Sequence, residues 1–330
     1  MHDLDPARTA VSTPARALVA AVLPCYRVRS HILDVIASLP ASVDLILVVD
    51  DACPERSGEE VQAHCNDPRV SVIFHARNLG VGGAMVTGYR EALARGATIV
   101  VKIDGDGQMD PARLPELLAP LLRGEADYAK GNRFFDLAVV DRMPARRLFG
   151  NAILSFMSKA SSGYWTVFDP TNGYTAIHVG ALRRLPLDKL DARYFFETDM
   201  LFRLNTIGAV VEDVPMDARY GEESSNLRIT RVIAPFLAGH LRNFSKRIFY
   251  NYFLRDFSVA SLQLVSGVAL LLFGAIHGGI HWWQSAQTGI ANPVGTVVIS
   301  ALSLLAGLQL LLAFLAYDMA PPPRRPLQRR

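Results

Sequence analysis

Residues 99–111 have the sequence IVVKIDGDGQMDP, in which a run of apolar side chains gives way to closely spaced carboxylates. The β-branched start predicts a short buried strand. Asp104 and Asp106 follow it, and Asp110 before Pro111 is typical of the first turn of a helix. Carboxylates on a tight loop after a strand lie where open α/β sheets bind ligands. Asp104 and Asp106 are therefore the first candidate functional residues.

The chemistry of this loop favours a hard cation together with a phosphorylated ligand. Asp104 and Asp106 offer the oxygen ligands that divalent cations such as Mg²⁺ or Mn²⁺ prefer. Gly105 between them allows a polyphosphate to approach the backbone. An EF-hand is excluded because Pro115 occupies the position where its final glutamate would stand. A polar turn with capping aspartates is the alternative that this stretch alone leaves open.

Strands and helices are predicted to alternate from the start of the chain to this loop. The predicted strands cover residues 18–23, 44–49 and 70–74, before the strand that begins at Ile99. The predicted helices cover residues 30–39 and 59–65 and a segment that ends near residue 95. This alternation predicts an α/β fold with a mostly parallel sheet and helices on both faces.

A glycine run at residues 80–83 precedes the third predicted helix. It does not match a dinucleotide-binding fingerprint, because Met85 stands where the third glycine is required and the later acidic residue is missing. Two roles are left for these glycines: close contact between the helix and a loop, or the lining of a cleft.

The C-terminal part of the chain has the composition of a membrane anchor. No Lys, Arg, Asp or Glu occurs between Asp256 and Asp318. Residues 257–276 and 294–317 each provide the roughly 20 apolar positions needed to cross a bilayer. Gly278, Gly279, Asn292 and Pro293 lie between these segments and predict a reversal. Two transmembrane helices with a short connecting loop are therefore expected.

Basic residues flank the two predicted spans but are absent from the loop between them. They are Arg242, Lys246, Arg247 and Arg255 before the first span, and Arg324, Arg325, Arg329 and Arg330 after the second. The positive-inside rule then places both flanks in the cytoplasm and the loop on the far side. A multi-pass protein of the cytoplasmic (inner) membrane is expected, with its folded domain facing the cytoplasm.

Charge and cysteine content exclude other classes. The net charge of +3 is too small to indicate nucleic acid binding. Cys25, Cys53 and Cys65 lack the spacing of a metal site, and their odd number suits a reducing compartment.

Six motifs follow one another along the chain. They are Pro24-x-Tyr26, Val48-Val49-Asp50-Asp51, Arg77-Asn78-x-Gly80-x-Gly82, Asp104-x-Asp106-x-Gln108-x-x-Pro111, Gly131-Asn132-Arg133-Phe134 and Asp169-Pro170-Thr171-Asn172-Gly173-Tyr174. In this order they resemble family 2 glycosyltransferases of the GT-A fold. The last two motifs are similar to those of the dolichyl- and polyprenyl-phosphate sugar synthases. The resemblance covers about residues 18–227, and two C-terminal spans are common in that branch.

The resemblance implies a binding site for a nucleotide-sugar donor. Its base and ribose would be held by Pro24, Tyr26, Val49 and Asp51. A divalent metal on its diphosphate would be held by Asp104, Asp106 and Gln108. The chain departs from the family where Arg27-Val28 replaces the frequent Asn-Glu. This departure leaves one nucleoside contact, and the identity of the nucleotide, open.

The resemblance also implies an acceptor side. Arg133 is the first candidate for binding the acceptor's phosphate, and Arg146 or Arg147 is the second, since a guanidinium stays charged and binds phosphate through two donors. Glu197 or Asp199 would be the carboxylate near the reacting groups. Acidic residues in a first helical turn can also be mere partners of the helix dipole, which is the competing interpretation.

The expected acceptor, a polyprenyl phosphate such as undecaprenyl or dolichyl phosphate, is already anionic. Its oxygen can attack the anomeric carbon without a general base, and attack opposite the nucleotide inverts the configuration. Asp106, Glu197 and Asp199 are the candidate catalytic residues. A hydroxyl (glycan) acceptor and a catalytically silent membrane scaffold are the alternatives. A processive synthase is disfavoured because its Gln-x-x-Arg-Trp motif is absent.

The predicted organisation has five parts. They are a disordered lead-in (1–17), a glycosyltransferase domain (18–227), juxtamembrane amphipathic helices (228–256), the two spans with their loop (257–317) and a basic cytoplasmic tail (318–330). The expected partners are the nucleotide sugar, polyprenyl phosphate and the lipid bilayer. Homo-oligomerisation, the sugar and the nucleotide stay open.

Overall fold

The computed structural model describes residues 16–133, 145–170, 172–216, 229–320 and 323–330. For the helical residues 145–147 and 229–233, only the backbone is described. Most of the predicted lead-in therefore lies outside the described residues. The same holds for residues 217–228, where the predicted glycosyltransferase domain meets the predicted juxtamembrane helices.

A single sheet of seven strands organises the N-terminal two thirds of the described chain. The strands are β1 (Val19–Cys25), β2 (Leu45–Asp50), β3 (Val70–Phe74), β4 (Ile99–Lys102), β5 (Tyr128–Asn132), β6 (Thr175–His178) and β7 (Val211–Pro215). Their order is β3-β2-β1-β4-β6-β5-β7, and β6 runs antiparallel to both β4 and β5. The predicted mostly parallel α/β sheet is confirmed.

Helices cover both faces of the sheet. They are α1 (Ile32–Ser38), α2 (Ser57–His64), α3 (Val81–Ala94), α4 (Leu114–Leu122), α5 (Ala145–Ser162), α6 (Val179–Leu182) and α7 (Phe196–Thr206). Val22 of β1 belongs to the apolar cluster that includes Met85 of α3. The next residue, Leu23, belongs to the cluster that includes Ile32 of α1 and Leu117 of α4. Alternation along a strand explains why neighbouring side chains enter different cores.

The loop after β4 lies where the strand order changes direction. From β1 the chain adds β2 and β3 on one side and β4 on the other, so the carboxyl ends of β1 and β4 lie side by side. Such a switch point opens a crevice for ligands in an open α/β sheet. The Asp110 carboxylate caps the next turn by accepting a hydrogen bond from Ala112 N at 3.1 Å, as its sequence predicts.

Helix α8 (Ile229–Phe249) and a π-helical turn (Tyr250–Arg255) lead to two long helices. These helices, α9 (Val259–Thr288) and α10 (Val294–Asp318), are long and apolar enough to cross a bilayer. The first extends well beyond residue 276, where its predicted span ended. Gly278 lies within this helix, where its missing side chain leaves room for Ser300 of α10, and the reversal occurs at residues 289–293.

Asp318, the last residue of α10, joins that helix to α8 and to the domain. Its carboxylate accepts two hydrogen bonds from the Arg247 guanidinium, at 2.5 and 2.9 Å. Tyr252 OH donates at 2.7 Å and Trp165 Nε1 at 3.2 Å. Arg247 and Asp318 are 2% and 4% exposed, so the ion pair is enclosed by the protein.

The end of the chain returns to the domain. Leu327 enters the apolar core beside α6. Its backbone N–H and that of Gln328 donate to the buried carboxylate of Asp127, at 2.9 and 3.1 Å, and Val210 N donates at 2.8 Å. The segment predicted as a basic tail is thus, over its last residues, a packed part of the fold.

Candidate active site

A cavity of about 430 Å³ opens at the carboxyl ends of β1 and β4. Six residues predicted from the sequence line it, namely Pro24, Tyr26, Asp51, Asp104, Gly105 and Asp106. The switch point of the sheet explains this meeting, because it brings the Pro24-x-Tyr26 turn next to the Asp104-x-Asp106 turn. The structure thereby joins residues that lie about eighty positions apart in the sequence.

Asp104 and Asp106 stand on either side of Gly105 and both face this cavity. Asp106 Oδ1 accepts a hydrogen bond from Gln108 N at 3.0 Å, which fixes the turn. The side chain of Gln108 is exposed and does not belong to the cavity lining. The structure therefore brings together two of the three predicted metal ligands.

Lys102, the last residue of β4, lies behind Asp104. Its Nζ donates to Asp104 Oδ1 at 2.7 Å and lies 3.3 Å from Glu197 Oε1. Burial alone would lower the pKa of Lys102, but the carboxylates of Asp104 and Glu197 raise it above its ordinary value. An ammonium group thus joins the metal-binding turn to the first turn of α7. Sequence reasoning missed this residue, because a lysine in an apolar strand has no distinctive pattern.

The Asp51 carboxylate holds the glycine turn before α3. It accepts hydrogen bonds from Leu79 N at 2.8 Å and Gly80 N at 2.7 Å, and His75 Nδ1 lies 2.8 Å away. Asp51 is buried, yet it contributes to the cavity wall. The predicted donor-binding residue thus also organises one side of the cavity.

Two other residues of the second motif, Asp50 and Val49, serve the fold. Asp50 accepts hydrogen bonds from Cys53 N at 2.7 Å and Gly58 N at 2.6 Å, and so fixes the turn into α2. Val49, predicted to contact the donor, is fully buried in the apolar core and is not part of the cavity lining. Its position in β2 explains this, since the strand ends one residue later.

The glycine run allows a second loop to close over the cavity. A side chain at Gly82 would lie 2.0 Å from Asp191 O, and one at Gly80 would lie 2.4 Å from Ala192 O. The loop that approaches here carries Arg193 and Tyr194, which line the cavity opposite the aspartates. Both roles predicted for the glycines are present. The glycine run was the only sequence signal for these two additional residues.

Arg133, the first candidate for the acceptor's phosphate, forms a two-point ion pair with Asp169. Arg133 Nε and Nη2 donate to the two oxygens of Asp169, at 2.8 and 3.1 Å. The Asp169 side chain is fully buried, whereas that of Arg133 is partly exposed. A planar guanidinium held in this way keeps a fixed orientation. The second candidates, Arg146 and Arg147, lie at the start of α5, but their side chains are outside the described residues.

The segment 169–173 links the arginine to the aspartate turn. Beyond Asp169, the carbonyl of Asn172 accepts a hydrogen bond from the buried Lys130. At Gly173 an added side chain would lie 2.7 Å from Asp104 Oδ2, so the turn packs directly on the aspartate. Thr171, the middle residue of the motif, lies outside the described residues. The structure thus places the Arg133 ion pair and the Asp104 turn at the two ends of one short segment.

Two buried groups near Arg133 have shifted pKa values. Burial lowers the pKa of Lys130 to about 8, although the carboxylates of Asp169, Glu197 and Asp213 oppose this. Burial also raises the pKa of Asp213 to about 6, against the hydrogen bond from Phe168 N. Neither residue was selected from the sequence, and both lie on strands that could not be predicted from the apolar pattern.

The two candidate carboxylates of α7 have different surroundings. Glu197 is partly buried beside Lys102 and thus beside the aspartate turn. Asp199 is fully buried and accepts hydrogen bonds from Asp191 N, Arg203 Nε and Asn243 Nδ2, at 3.0, 2.8 and 3.0 Å. The structure therefore brings Glu197, and not Asp199, to the candidate site. Asp199 joins α7 to α8 and to the loop at residue 191.

Asp104 and Asp106 fit a divalent cation whose remaining ligands come from a substrate and from water. The described residues contain no cluster of three or more His, Cys, Asp or Glu side chains suited to a metal. Two carboxylates with cavity space beside them are typical of Mg²⁺-type sites completed by phosphate oxygens and water. Asp104 and Asp106 thus fit a cation that is bound together with a diphosphate.

Comparison with a family model and with known sequences points to the same family. A family model described as Glycosyl transferase family 2 matches residues 20–185. An undecaprenyl-phosphate mannosyltransferase from Micrococcus luteus is 32% identical over 52% of this chain and 70% of that protein. A polyprenol monophosphomannose synthase from Mycolicibacterium smegmatis is 30% identical over 64% of this chain and 80% of that protein.

Comparison with solved structures supports the fold. Glucosyl-3-phosphoglycerate synthase from Mycobacterium tuberculosis, in complex with uridine diphosphate, has a TM-score of 0.54 at 21% identity, covering 69% of this chain and 80% of that one. Another crystal structure of that enzyme, with a TM-score of 0.51, 21% identity and the same coverage, contains Mn²⁺ and uridine-diphosphate-glucose. At this identity, the similarity shows the fold alone.

Proposed function

Because the chain belongs to glycosyl transferase family 2, we propose that it transfers a sugar from a nucleotide-sugar donor to a polyprenyl phosphate, with inversion, at the cytoplasmic face of a membrane. The observation that carries this proposal is the meeting of Asp104 and Asp106 in one cavity, with the Arg133–Asp169 ion pair at the other end of an adjoining segment. The chain is a glycosyltransferase, and the proposal concerns its donor, acceptor and location.

On the donor side, the cavity offers both shape and charge for a nucleotide diphosphate. Tyr26 and Pro24 provide flat surfaces for a base and ribose, and Asp51 with the glycine turn provides polar groups. Asp104 and Asp106 would hold Mg²⁺ or Mn²⁺ on the diphosphate. This cation would supply charge neutralisation for the departing nucleotide. Arg193, on the opposite wall, adds a positive charge for the same phosphates.

On the acceptor side, Arg133 would bind and orient a lipid-borne phosphate. The phosphate oxygen is anionic near neutral pH, so the protein need not remove a proton from it. Its main task is to hold two negatively charged reactants close together, which an oriented guanidinium favours. Attack from the face opposite the diphosphate would invert the anomeric configuration. Glu197, fixed by Lys102 beside the aspartate turn, would orient the sugar between the two sites.

The membrane location is supported by exposed apolar side chains beside the two long helices. Helices α5 and α8 pack against each other and expose Phe149, Ile153 and Phe156 of α5 and Leu237 and Leu241 of α8. Arg242 and Lys246 on α8 are exposed as well. Apolar and basic side chains together on such helices suit the headgroup layer of a membrane. Both long helices would then cross the bilayer as a hairpin whose two ends lie on the side of the domain.

The test is an assay of the purified full-length chain in detergent. It contains Mg²⁺ or Mn²⁺, undecaprenyl phosphate and, in separate reactions, nucleotide sugars with different bases and hexoses. We expect a lipid-linked sugar from at least one donor, abolition by EDTA, and an inverted anomeric configuration by NMR. A product of retained configuration would contradict the mechanism.

Two further outcomes distinguish the alternatives. Transfer to a glycan hydroxyl, but not to undecaprenyl phosphate, would replace the proposed acceptor. No product from any donor and acceptor would favour a silent membrane scaffold.

A further inference from the structure

The candidate metal site contains a built-in positive charge. The ammonium of Lys102 lies 2.7 Å from Asp104 Oδ1 and 3.3 Å from Glu197 Oε1. Its side chain is 2% exposed, whereas that of Asp104 is 32% exposed and faces the cavity. Asp104 is therefore neutralised from the protein side before any cation reaches it from the cavity side.

This ammonium has little freedom to move away. Lys102 ends β4, a strand that is paired on both sides, with β1 and β6. An added side chain at Gly173 would lie 2.4 Å from Lys102 Nζ, so the backbone of that turn closes the space above the ammonium. A cation bound to Asp104 would therefore be close to Lys102 and would be repelled by it.

We propose that Lys102 is an internal counter-ion that makes binding of the divalent cation depend on the diphosphate of the donor. Without nucleotide, Lys102 satisfies part of the charge of Asp104, and the two loop carboxylates bind a cation weakly. The diphosphate adds negative charge and oxygen ligands, and the cation then binds firmly. The metal consequently enters with the nucleotide rather than before it. This inference rests on the proposed metal-dependent transfer.

Lys102 is on this account a positioning residue, since it acts through Asp104 and Glu197 and does not contact the substrate. The decisive variant is Lys102→Met, which keeps an unbranched side chain of similar length and removes the charge. The readout is Mn²⁺ affinity, measured by the electron paramagnetic resonance signal of free Mn²⁺. The full-length protein is titrated in detergent at constant ionic strength, without nucleotide and with UDP, GDP or dTDP.

For the wild type we expect weak Mn²⁺ binding without nucleotide, and binding at least about tenfold tighter with one of the nucleotides. Lys102→Met should bind Mn²⁺ about tenfold tighter than the wild type when no nucleotide is present. Lys130→Met is the matched control, because Lys130 is equally buried on β5 but donates to Asn172 instead of Asp104. We expect it to leave the nucleotide-free affinity unchanged.

Glu197→Gln gives a second test that does not depend on the folding of Lys102→Met. It removes the other carboxylate beside Lys102 and keeps the ammonium on Asp104. Mn²⁺ binding without nucleotide should therefore stay as weak as in the wild type or become weaker. Tighter binding in this variant would overturn the counter-ion role.

The remaining outcomes distinguish a failure of the counter-ion role from a failure of the proposed metal-dependent transfer. If Lys102→Met binds Mn²⁺ no more tightly than the wild type, or if the wild type binds Mn²⁺ equally well with and without nucleotide, the counter-ion role is wrong. The proposed transferase function would survive both results. If the wild type binds no Mn²⁺ with any of the nucleotides, the metal-dependent transfer itself fails.

Discussion

Two buried ion pairs of this protein differ in how completely their carboxylates are enclosed. Asp318 accepts hydrogen bonds from Arg247, Tyr252 and Trp165 and is 4% exposed. Asp104 is paired with Lys102, which is as buried as Arg247, yet about a third of the Asp104 side chain is exposed and faces a cavity. An enclosed carboxylate with several donors fixes helices in place, whereas one that stays open beside a cavity can bind a ligand.

Asp199 shows how this comparison separates candidates that look alike in the sequence. It lies two residues from Glu197, and both are in the first turn of α7. The structure gives Asp199 three donors from three segments and no exposure. It therefore belongs with Asp318 among the structural carboxylates, and Glu197 belongs with Asp104.

The largest effect should come from the open site. Asp106→Asn removes a charge from the cavity and keeps the size of the side chain, so sugar transfer should fall by roughly a thousandfold or more. The change should leave thermal unfolding nearly unaltered, because the side chain is on a partly exposed loop. Initial rates with excess donor and acceptor, together with a melting curve of each variant, measure both effects.

Asp199→Asn is the matched change at the enclosed carboxylate. It should lower the melting temperature and only slow the transfer, since its hydrogen bonds connect α7 with α8. An equal loss of activity in Asp106→Asn and Asp199→Asn would contradict the distinction. It would favour a general base acting on a hydroxyl acceptor.

Breaking the enclosed Arg247–Asp318 pair should destabilise the folded protein. Arg247→Met leaves the carboxylate of Asp318 buried without its charged partner, and breaking such a pair costs about 3–5 kcal/mol of unfolding free energy. Denaturant unfolding in detergent measures it. The control is Lys246→Met on the same helix, where the lysine is exposed and its loss should have little effect. Similar losses in both variants would show that the ion pair does not hold the helices.

A smaller loss is expected where the end of the chain packs on the domain. Leu327→Ala opens space in the core beside α6 and should cost about 2–4 kcal/mol of unfolding free energy. The rate of transfer per folded molecule should stay the same, since the contact with Asp127 lies at the opposite end of the sheet from the cavity. Gln328→Glu is not an equivalent control, because the half-buried Gln328 side chain donates hydrogen bonds to the carbonyls of Leu121 and Ala126.

A suitable control for this prediction is Arg324→Ala, because Arg324 lies in the same tail but outside the 3₁₀ turn at Leu327–Arg329. It should leave the melting temperature unchanged. A Leu327→Ala variant as stable as the wild type would mean that the tail does not pack on the domain in solution.

The smallest effect concerns pH. The folded-state pKa of Asp213, about 6, is above its ordinary value of 3.8, so the folded protein binds a proton that the unfolded chain has released between these values. Its contribution to stability is present below pH 4 and is lost as the pH rises through 6. A shift of this size corresponds to at most about 3 kcal/mol, and the partial exposure of the side chain reduces it to roughly 1–2 kcal/mol. Thermal unfolding of the wild type and of Asp213→Asn across this range isolates the contribution. An identical pH dependence of both proteins would refute it.

The sequence predicted the first half of the fold because each strand there is a compact apolar run followed by a polar turn. Strands β5, β6 and β7 escaped prediction because their residues include Lys130, Asp213 and Thr175, whose polar side chains break the apolar pattern. The antiparallel entry of β6 between β4 and β5 depends on pairing over long distances, which local periodicity cannot reveal.

Some residues of the candidate site could likewise be predicted from the sequence, and others could not. Pro24, Tyr26, Asp51, Asp104 and Asp106 could be found because they belong to motifs at strand ends. Lys102 and Arg193 could not, since their importance depends on which charged groups the fold brings next to them. The separate surroundings of Glu197 and Asp199 likewise follow from the packing of α7, and the sequence left them as equal candidates.

The docking of Leu327 sets an order of events during synthesis. Leu327 follows α9 and α10 in the chain, and it completes a core whose other members begin at Ala20. Until Leu327 and Gln328 have been synthesised, that core lacks a side chain and Asp127 lacks two of its donors. The domain therefore reaches its final state only after α9 and α10 have been made, so its maturation is coupled to the assembly of its own anchor.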